Sequence, residues 1–285
     1  MINRKKSHIT NLLFQYWGII CLIFVVGTLF VLVADALQTG GRRINWQFLT
    51  SLPSRLPEEA GIYTALMGSF WVLIITMLIA FPIGIASAIY MEEYSKKNFI
   101  NKLFEINMAN LAGVPSIIYG LLGLELLARN LKLGGSILTG SLTLSLLLLP
   151  TIIVTTREAL RAVPSSIREA SYALGASKWQ TIWHSILPGS LGGILTGIFL
   201  SISRAMGEAA PLIVVGALAY VPYAPSNPLD NYTVLPIQIF NWISRPQQGF
   251  STNASAAIIV LLIFTFSMTG LGVYFRGRWR KKIKW

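Results

Sequence analysis

An arginine and a glutamate interrupt one of the most apolar parts of the sequence, in the stretch SISRAMGEAAPLI. Arg204 and Glu208 are four residues apart, so on a helix their side chains project from nearly the same face. A charge inside a bilayer costs a few kcal/mol, so each side chain needs a partner. Either the two neutralise each other and fix the helix, or the guanidinium faces a polar pathway where its donors bind two oxygens of an oxyanion. The two interpretations are compatible, because Glu208 can orient Arg204 while the pathway is empty.

The face that carries the charged pair continues toward the N-terminus as a stripe of small residues. These residues stand at intervals of four and are Gly193, Gly197 and Ser201. Small residues let membrane helices approach closely, so we expect this side of the helix to pack against protein. Gly207 and Pro211 predict that the helix kinks or ends just past Glu208. The candidate substrate-pathway residues are Ser201, Arg204 and Glu208.

The composition is that of a membrane protein. Of the 285 residues, 54% are hydrophobic and only 12% are charged, and the charges cluster between long uncharged runs. A helix needs about 20 apolar residues to cross the roughly 30 Å of a bilayer core. Six runs qualify or nearly do, and they are 17–37, 62–91, 106–127, 137–155, 189–219 and 256–275. The sequence therefore predicts an all-α polytopic protein with six transmembrane helices.

The basic residues predict the orientation in the membrane. With the N-terminus inside, most of the 23 lysines and arginines fall in cytoplasmic segments. The basic residues left outside are Arg42, Arg43, Arg55, Arg129, Lys132 and Arg245. The positive-inside rule then places both termini in the cytoplasm. The net charge of +12 is explained by this orientation and by contact with anionic lipid, so nucleic-acid binding is disfavoured.

The sequence offers little chemistry for an enzyme. Cys21, the single cysteine, lies in the first apolar run, and the two histidines, His8 and His184, have no second ligand at metal spacing. The sequence carries no zinc-protease motif, nucleophile elbow or P-loop. We therefore expect no catalytic residue, no metal and no cofactor bound by this chain. Glu92 and Glu93 are interpreted as a solvated cytoplasmic corner beside the lysines that follow them.

The longest cytoplasmic segment, REALRAVPSSIREASYALGASKWQTIWHSILP, predicts two short amphipathic helices. The first begins near Ser165 or Ser166 and ends before Gly175. The second begins near Ser177 and is expected to carry one apolar face, formed by Trp179, Ile182, Trp183 and Ile186. Two amphipathic helices joined by a glycine can fill a groove on a soluble partner.

This segment resembles the EAA loop of ABC-importer permeases, whose pattern is E-A-A, three residues, G, nine residues, I-x-L-P. The residues at the expected positions are Glu169, Ala170, Gly175, Leu187 and Pro188. Ser171 replaces the second alanine and Ser185 replaces the usual isoleucine, but neither change removes the apolar face. The resemblance implies that these residues, together with Trp179, couple the chain to an ATPase.

Three further stretches resemble the PstA family of permease subunits from phosphate importers, namely NLAGVPSIIYGLLGLE, SRAMGEAAPLIVVGA and LPIQIFNWISRPQQGF. The resemblance runs from Gly61 to about Phe275. It implies a type I ABC importer permease with a MetI-like fold and no enzymatic activity of its own. The implied partners are a PstC-like permease, two PstB-like ATPase subunits that use ATP and Mg, and a PstS-like phosphate-binding protein. The implied location is the bacterial inner membrane.

The organisation expected from these observations has three parts. Residues 1–60 form a cytoplasmic tail, the first transmembrane helix and an external loop. Residues 61–275 form the permease core, including a cytoplasmic coupling loop at 156–188, and residues 276–285 form a basic cytoplasmic tail. The external segment 220–254 is too long for a tight turn. We expect it to lie along the membrane surface with Trp242 at the interface, or to contact the binding protein.

Several alternatives remain open at this point. The chain could fill the PstC-like role in the same importer, or serve another oxyanion such as sulfate or molybdate. A secondary carrier is a different class, and the loop that resembles an ATPase-coupling element argues against it. A membrane receptor or scaffold is disfavoured because the sequence leaves no soluble domain of useful size.

Overall fold

The computed structural model describes residues 4–95, 99–218 and 220–280. Five of its helices are long and apolar enough to cross a membrane, and they are Asn11–Arg43, Tyr63–Tyr94, Ile137–Arg161, Lys178–Gly207 and Gln248–Trp279. A sixth span is formed if the bent pair Asn101–Ala112 and Ser116–Asn130 is counted as one. The prediction of an all-α polytopic membrane protein is confirmed. Ala219 and the basic residues Lys96, Lys97, Lys281, Lys282 and Lys284 lie outside the described residues.

Twelve α-helices follow one another along the part of the chain that the structure describes. They are α1 (Arg4–Gly40), α2 (Trp46–Thr50), α3 (Tyr63–Ile89), α4 (Phe99–Ala112), α5 (Ser116–Gly123), α6 (Ile137–Arg161), α7 (Ser165–Ala173), α8 (Lys178–Thr181), α9 (Leu187–Gly207), α10 (Ala210–Val214), α11 (Leu235–Ile243) and α12 (Gln248–Arg280). Three π-helical turns extend them, Tyr90–Tyr94 after α3, Leu124–Asn130 after α5 and Ile182–Ile186 between α8 and α9.

The third apolar run is broken where the sequence places Pro115. α4 and α5 meet at 98° across this break, because proline has no backbone N–H and disfavours a helical conformation in the residue before it. The Tyr119 hydroxyl donates to the carbonyl oxygen of Leu111 at 2.8 Å. The same carbonyl accepts the Val114 backbone N–H at 3.1 Å, so the Tyr119 side chain adds a second hydrogen bond at the end of the broken helix.

α6 lies between α3 and α9 and contacts both along its length. The Thr76 hydroxyl of α3 donates to the Ser141 carbonyl oxygen of α6 at 3.1 Å. Toward the other end of α3, Gly84 leaves room for the side chain of Ile152. Small and hydroxyl-bearing residues thus bring these helices close together, as membrane helices require when lipid offers no competing hydrophobic force.

The segment 220–254 packs Trp242 into the core, so one of the two expectations for this segment, with Trp242 at the membrane interface, is wrong. Trp242 is only 1% exposed, and its ring centroid lies 6.0 Å from that of Phe48 and 6.3 Å from that of Phe250. The Leu235 backbone N–H at the start of α11 donates to Ser69 Oγ of α3 at 2.9 Å. The side of α11 that carries Leu235 and Trp242 therefore faces protein, whereas Phe240 and Ile243 remain exposed.

The same segment completes the outer end of α6. The first backbone N–H groups of α6 have no intrahelical acceptor, and Ile137 donates instead to the Asp230 carbonyl oxygen at 3.1 Å. The Asp230 carboxylate in turn accepts the backbone N–H groups of Ser226 and Asn227, each at 2.9 Å. These backbone hydrogen bonds, first that from Ser226, lower the pKa of Asp230. The turn is therefore most stable above the ordinary aspartate pKa and loses this contribution as the pH falls.

Arg43 joins the outer end of α1 to the start of α12. Its Nε donates to Asn253 Oδ1 at 2.9 Å, and its Nη2 donates to the Glu58 and Ala60 carbonyl oxygens at 2.6 Å and 3.1 Å. The guanidinium carbon also lies 5.3 Å from the Phe48 ring centroid. Arg43 is therefore a structural residue that holds these segments together.

Replacing Arg43 by lysine removes the planar set of donors but keeps the charge. We expect Arg43→Lys to lower the free energy of unfolding by about 1.5–3 kcal/mol, the contribution of hydrogen bonds to a charged group. Thermal unfolding of the purified protein in detergent measures this. Arg42→Lys is the matched control, because Arg42 is an exposed neighbour. An equal effect of the two substitutions would contradict the assignment.

Candidate functional site

The charged pair stands where α9 ends. α9 stops at Gly207, and Glu208 follows it with an extended backbone, at φ −78° and ψ 115°. The predicted break is thus confirmed, and it falls immediately before Glu208. The apolar run 189–219 is not one membrane helix, because the span is Lys178–Gly207 and a short separate helix, α10, follows the break.

The structure brings Arg204 and Glu208 together in a long ion pair. Arg204 Nε lies 3.4 Å from Glu208 Oε1, and the two side chains are 46% and 18% exposed. The length of the contact and the exposure of Arg204 indicate a loose pairing. The predicted neutralising partner is therefore present, and the arginine still offers an accessible guanidinium face.

Glu208 faces inward while Arg204 is more exposed. Glu208 lines a cavity of about 10 Å³, room for about one water molecule, together with Ser69 and Val72 of α3, Leu144 of α6 and Leu212 of α10. The two charges of the pair therefore link an exposed surface of the bundle to a space between α3, α6 and α9.

Ser201 lies one turn before Arg204, on the buried side of α9. It is 2% exposed, and its hydroxyl has no hydrogen-bond partner among the described residues. The structure therefore separates Ser201 from the exposed Arg204, although both residues belong to α9.

The glycine stripe brings α9 against α6. A Cβ atom on Gly197 would lie 2.7 Å from Thr155 Oγ1, and one on Gly193 would lie 2.7 Å from the Ala159 Cβ. Both distances are shorter than side chains allow. The prediction that this side of the helix packs against protein is confirmed at these two positions.

The predicted coupling loop turns at Gly175, as the sequence predicts. Gly175 has a φ of +82°, a conformation that costs residues with a Cβ atom about 1–2 kcal/mol. Its N–H donates to the Tyr172 carbonyl oxygen at 2.9 Å, and the Ala176 N–H donates to that of Ser171 at 3.2 Å. This pair of bonds is a Schellman motif, and it closes the end of α7.

The loop has two helical arms, of which α7 is the first and the helix that starts with α8 is the second. The second arm begins at Ser177, also as predicted. Ser177 Oγ accepts the Gln180 backbone N–H at 3.3 Å, and Gln180 Oε1 accepts the Ser177 N–H at 2.8 Å, which together form a capping box. The helix then continues through α8, the π-helical turn and α9 to Gly207. Leu187 and Pro188 are half-buried at the start of α9, directly after the π-helical turn. The predicted coupling loop therefore passes into a membrane helix without a break.

The exposed surface of the loop contains most of the residues expected to contact a partner. Glu169, Ala170, Gly175 and Trp179 are exposed. Leu174 is the most exposed of the large apolar side chains, at 89%. The predicted single apolar face of the second arm is wrong, because Ile182 and Ile186 are buried in the core while Trp179 and Trp183 stack on each other outside it. Helical periodicity places the four residues on one side of the helix, but α6 covers only the part of that side that carries Ile182 and Ile186.

Ser171, one of the two departures from the EAA pattern, forms a hydrogen bond between the two arms of the loop. Its Oγ lies 2.8 Å from Thr181 Oγ1, and Thr181 is fully buried. An alanine could not make this contact. The serine therefore adds a hydrogen bond between α7 and α8 that the family pattern does not predict.

An ion-pair cluster missed by sequence analysis lies behind the loop. Glu92 contacts Arg161 at 2.9 Å and Arg157 at 3.3 Å, and Glu93 contacts Arg168 at 2.8 Å. The interpretation of Glu92 and Glu93 as a solvated corner is wrong, because their side chains are only 18% and 6% exposed. These partners are more than 60 residues apart in sequence, so no local pattern signals them.

A bundle of membrane helices with a broken helix at a charged pair and an amphipathic loop at one end is consistent with a membrane permease. Residues 80–281 match the family described as the inner membrane component of binding-protein-dependent transport systems. The chain belongs to this family.

Two kinds of similarity support the assignment. The chain is 34% identical over 280 residues to the phosphate transport system permease protein PstA of Mycobacterium leprae, covering 96% of this chain and 89% of that protein. Its fold is similar to a bacterial alginate ABC transporter, with a TM-score of 0.66 at 14% identity and 96% of each chain covered. It is also similar to the MetNI methionine ABC transporter, with a TM-score of 0.60 at 18% identity, covering 76% of this chain and 97% of that chain.

These comparisons confirm the type I importer permease fold, similar to MetI, and the resemblance to the PstA family. The relatives are permease subunits of ABC transporters, so the chain is a multi-pass membrane permease and not an enzyme.

The close contact of α9 with α6 is testable by adding one side chain. We expect Gly197→Val to lower the free energy of unfolding by about 1–3 kcal/mol, because overpacking forces the two helices apart. Thermal unfolding in detergent measures the change. Gly18→Val is the control, since nothing lies within 4 Å of a Cβ atom at Gly18. Equal stability of the two variants would show that α9 does not depend on this contact.

Proposed function

We propose that this chain is one membrane subunit of an ATP-driven importer of inorganic phosphate and forms half of its translocation pathway. The observation that carries the proposal is the accessible Arg204 guanidinium at the end of a membrane helix, in a chain similar to PstA along almost its whole length. A phosphate ion cannot enter a region of low dielectric without replacing its lost water, and an arginine offers two donors that match two phosphate oxygens.

In the proposed cycle Glu208 holds Arg204 between transport events. The empty site then has a net charge near zero, which limits the cost of keeping an arginine in the membrane. An arriving phosphate competes with the carboxylate for the guanidinium, and the 3.4 Å contact is weak enough to be exchanged. Because the carboxylate stays close, it also repels bound phosphate and favours its release.

Ser201 extends the pathway in this proposal. Its hydroxyl is buried and has no hydrogen-bond partner among the described residues. We propose that it donates a hydrogen bond to phosphate when α9 shifts relative to α6.

The energy source is proposed to be a separate ATPase. The sequence of this chain has no P-loop, and we propose that two PstB-like subunits bind ATP and Mg and contact the EAA loop. The loop residues assigned to this coupling are Glu169, Ala170, Gly175, Trp179, Leu187 and Pro188. Exposure of the loop's outer residues, above all Leu174 at 89%, supports a surface that a partner covers.

The unbroken helix from Lys178 to Arg204 supports the proposed coupling. The rise from Lys178 to Arg204 is about 39 Å at 1.5 Å per residue, so displacement of the loop moves the charged pair. The π-helical turn Ile182–Ile186 is the place where this helix departs from α-helical geometry, and such turns occur often at functional sites.

The remaining subunits are proposed to be a PstC-like permease and a PstS-like phosphate-binding protein, with the complex in the bacterial inner membrane and both termini in the cytoplasm. A PstC-like role, or transport of sulfate or molybdate, would keep the same coupling. A secondary carrier would not co-purify with an ATPase, and co-purification therefore separates the two classes.

The charged pair is tested by Arg204→Gln in the reconstituted complex. We expect phosphate uptake into liposomes to fall at least tenfold while the complex still assembles, because glutamine cannot pair with phosphate as guanidinium does. Arg129→Gln is the matched control: Arg129 forms a comparable pair with Glu125, also four residues away, and is 67% exposed. Unchanged uptake by Arg204→Gln would contradict the proposal.

The proposed ATPase contact is tested by Leu174→Asp. A buried aspartate without a partner is costly, so we expect this variant to lose co-purification with the ATPase subunits. Leu131→Asp is the control, because Leu131 is 63% exposed and lies before the start of α6, at the opposite end of the bundle. Retention of the ATPase by Leu174→Asp would place the contact elsewhere.

A further inference from the structure

Arg168 connects the first turn of α7 to two membrane helices through hydrogen bonds and an ion pair. Its Nη2 donates to Glu93 Oε1 at 2.8 Å and to the Leu160 carbonyl oxygen at 3.0 Å, and its Nη1 donates to the Val163 carbonyl oxygen at 2.8 Å. Glu93 belongs to the π-helical turn that ends α3, and Leu160 lies in the last turn of α6. One side chain thus joins the loop to the cytoplasmic ends of α3 and α6.

The Glu93–Arg168 pair is largely shielded from water. The Glu93 side chain is 6% exposed and that of Arg168 is 20% exposed. A buried ion pair of this kind is costly to break, because loss of one partner leaves the other charge without compensation. Contact with two carbonyl groups at a helix C-terminus further favours the arginine there.

Other ion pairs in the same region do not reach α7. Glu92 pairs with Arg157 and Arg161, and Arg161 also contacts Glu105 at 3.2 Å, so this cluster joins α3, α4 and α6. Of the ion pairs between described residues, Glu93–Arg168 is the one that reaches α7.

The two arms of the loop therefore connect to different membrane helices. The second arm continues covalently into α9, whereas the first arm reaches α3 through Arg168. Both α3 and α9 line the cavity beside Glu208, with Ser69 and Val72 from α3 and Ala205 and Met206 from α9. A displacement of the loop reaches α9 through the chain itself, and the ion pair gives the loop a direct connection to α3, in addition to the contact that α3 makes with α6.

We propose that Arg168 is a positioning residue for energy coupling, which acts through Glu93 to make α3 move together with α9 when the ATPase displaces the loop. The proposal rests on the proposed function of the chain as an ATPase-coupled permease. In this role the Glu93–Arg168 pair transmits movement of the loop to α3, in addition to its contribution to folding.

The test compares phosphate uptake with ATP hydrolysis in liposomes that contain the complete complex. For Glu93→Gln and Arg168→Gln we expect assembled complexes that keep at least half of the wild-type ATP hydrolysis but import at least tenfold less phosphate per ATP. Glu93→Gln is the milder variant, because it preserves side-chain volume and leaves the Arg168 bonds to the two carbonyl groups available. Arg161→Gln is the control, since it removes an arginine of the neighbouring cluster, and its uptake per ATP should match the wild type.

Three results would overturn the proposal. One is wild-type uptake per ATP in Glu93→Gln, and another is a proportional fall of uptake and hydrolysis with the complex intact. The third is failure of Glu93→Gln to assemble, which would make the pair purely structural. Measurements on the wild-type complex distinguish failure of this proposal from failure of the proposed function. If the wild-type complex hydrolyses ATP but imports another oxyanion, uptake per ATP is measured with that ion. If its uptake does not need ATP, the proposed function itself fails.

Discussion

The close contact of α9 with α6 is the constraint on which the rest of the bundle depends. Gly193 and Gly197 permit it because they place no side chain between the helices, and α9 packs against α12 elsewhere, where Gly272 faces Phe199. With α9 fixed in this way, its two ends are placed as well. One end continues from the cytoplasmic loop, and the other carries the charged pair beside the cavity that α3 and α6 also line.

The polar groups of this membrane protein are concentrated where helices end or break. Arg204 and Glu208 mark the end of α9, and Pro115 marks the break before α5. Where α3 ends, the carboxylates of Glu92 and Glu93 are paired with arginines from α6 and α7. Breaks release backbone groups and create space, so they are the places where a bundle can hold charge without exposing it to lipid.

Local signals in the sequence predicted the features that depend on neighbouring residues. The apolar runs predicted the spans, Ser177 and Gly175 predicted the limits of the loop helices, and Gly207 with Pro211 predicted the break. Each depends on residues within about one or two helical turns of one another. The pairing of Arg204 with Glu208 belongs to the same class, because a spacing of four residues places both on one helical face.

Features that depend on distant parts of the chain were not predicted. Arg43 bonds to Asn253, 210 residues away, and Arg168 bonds to Glu93, 75 residues away. Trp242 was expected at a lipid surface because an amphipathic pattern does not distinguish lipid from protein. Periodicity shows that a helix has two different faces, but only the packing of the complete chain decides what covers each one.

The most direct test of this account is uptake of labelled phosphate into liposomes that contain this chain with PstC-, PstB- and PstS-like partners, measured with and without ATP and with excess sulfate. The account predicts phosphate uptake that requires ATP and is unaffected by sulfate. Uptake that proceeds without ATP, or import of sulfate in place of phosphate, would contradict it.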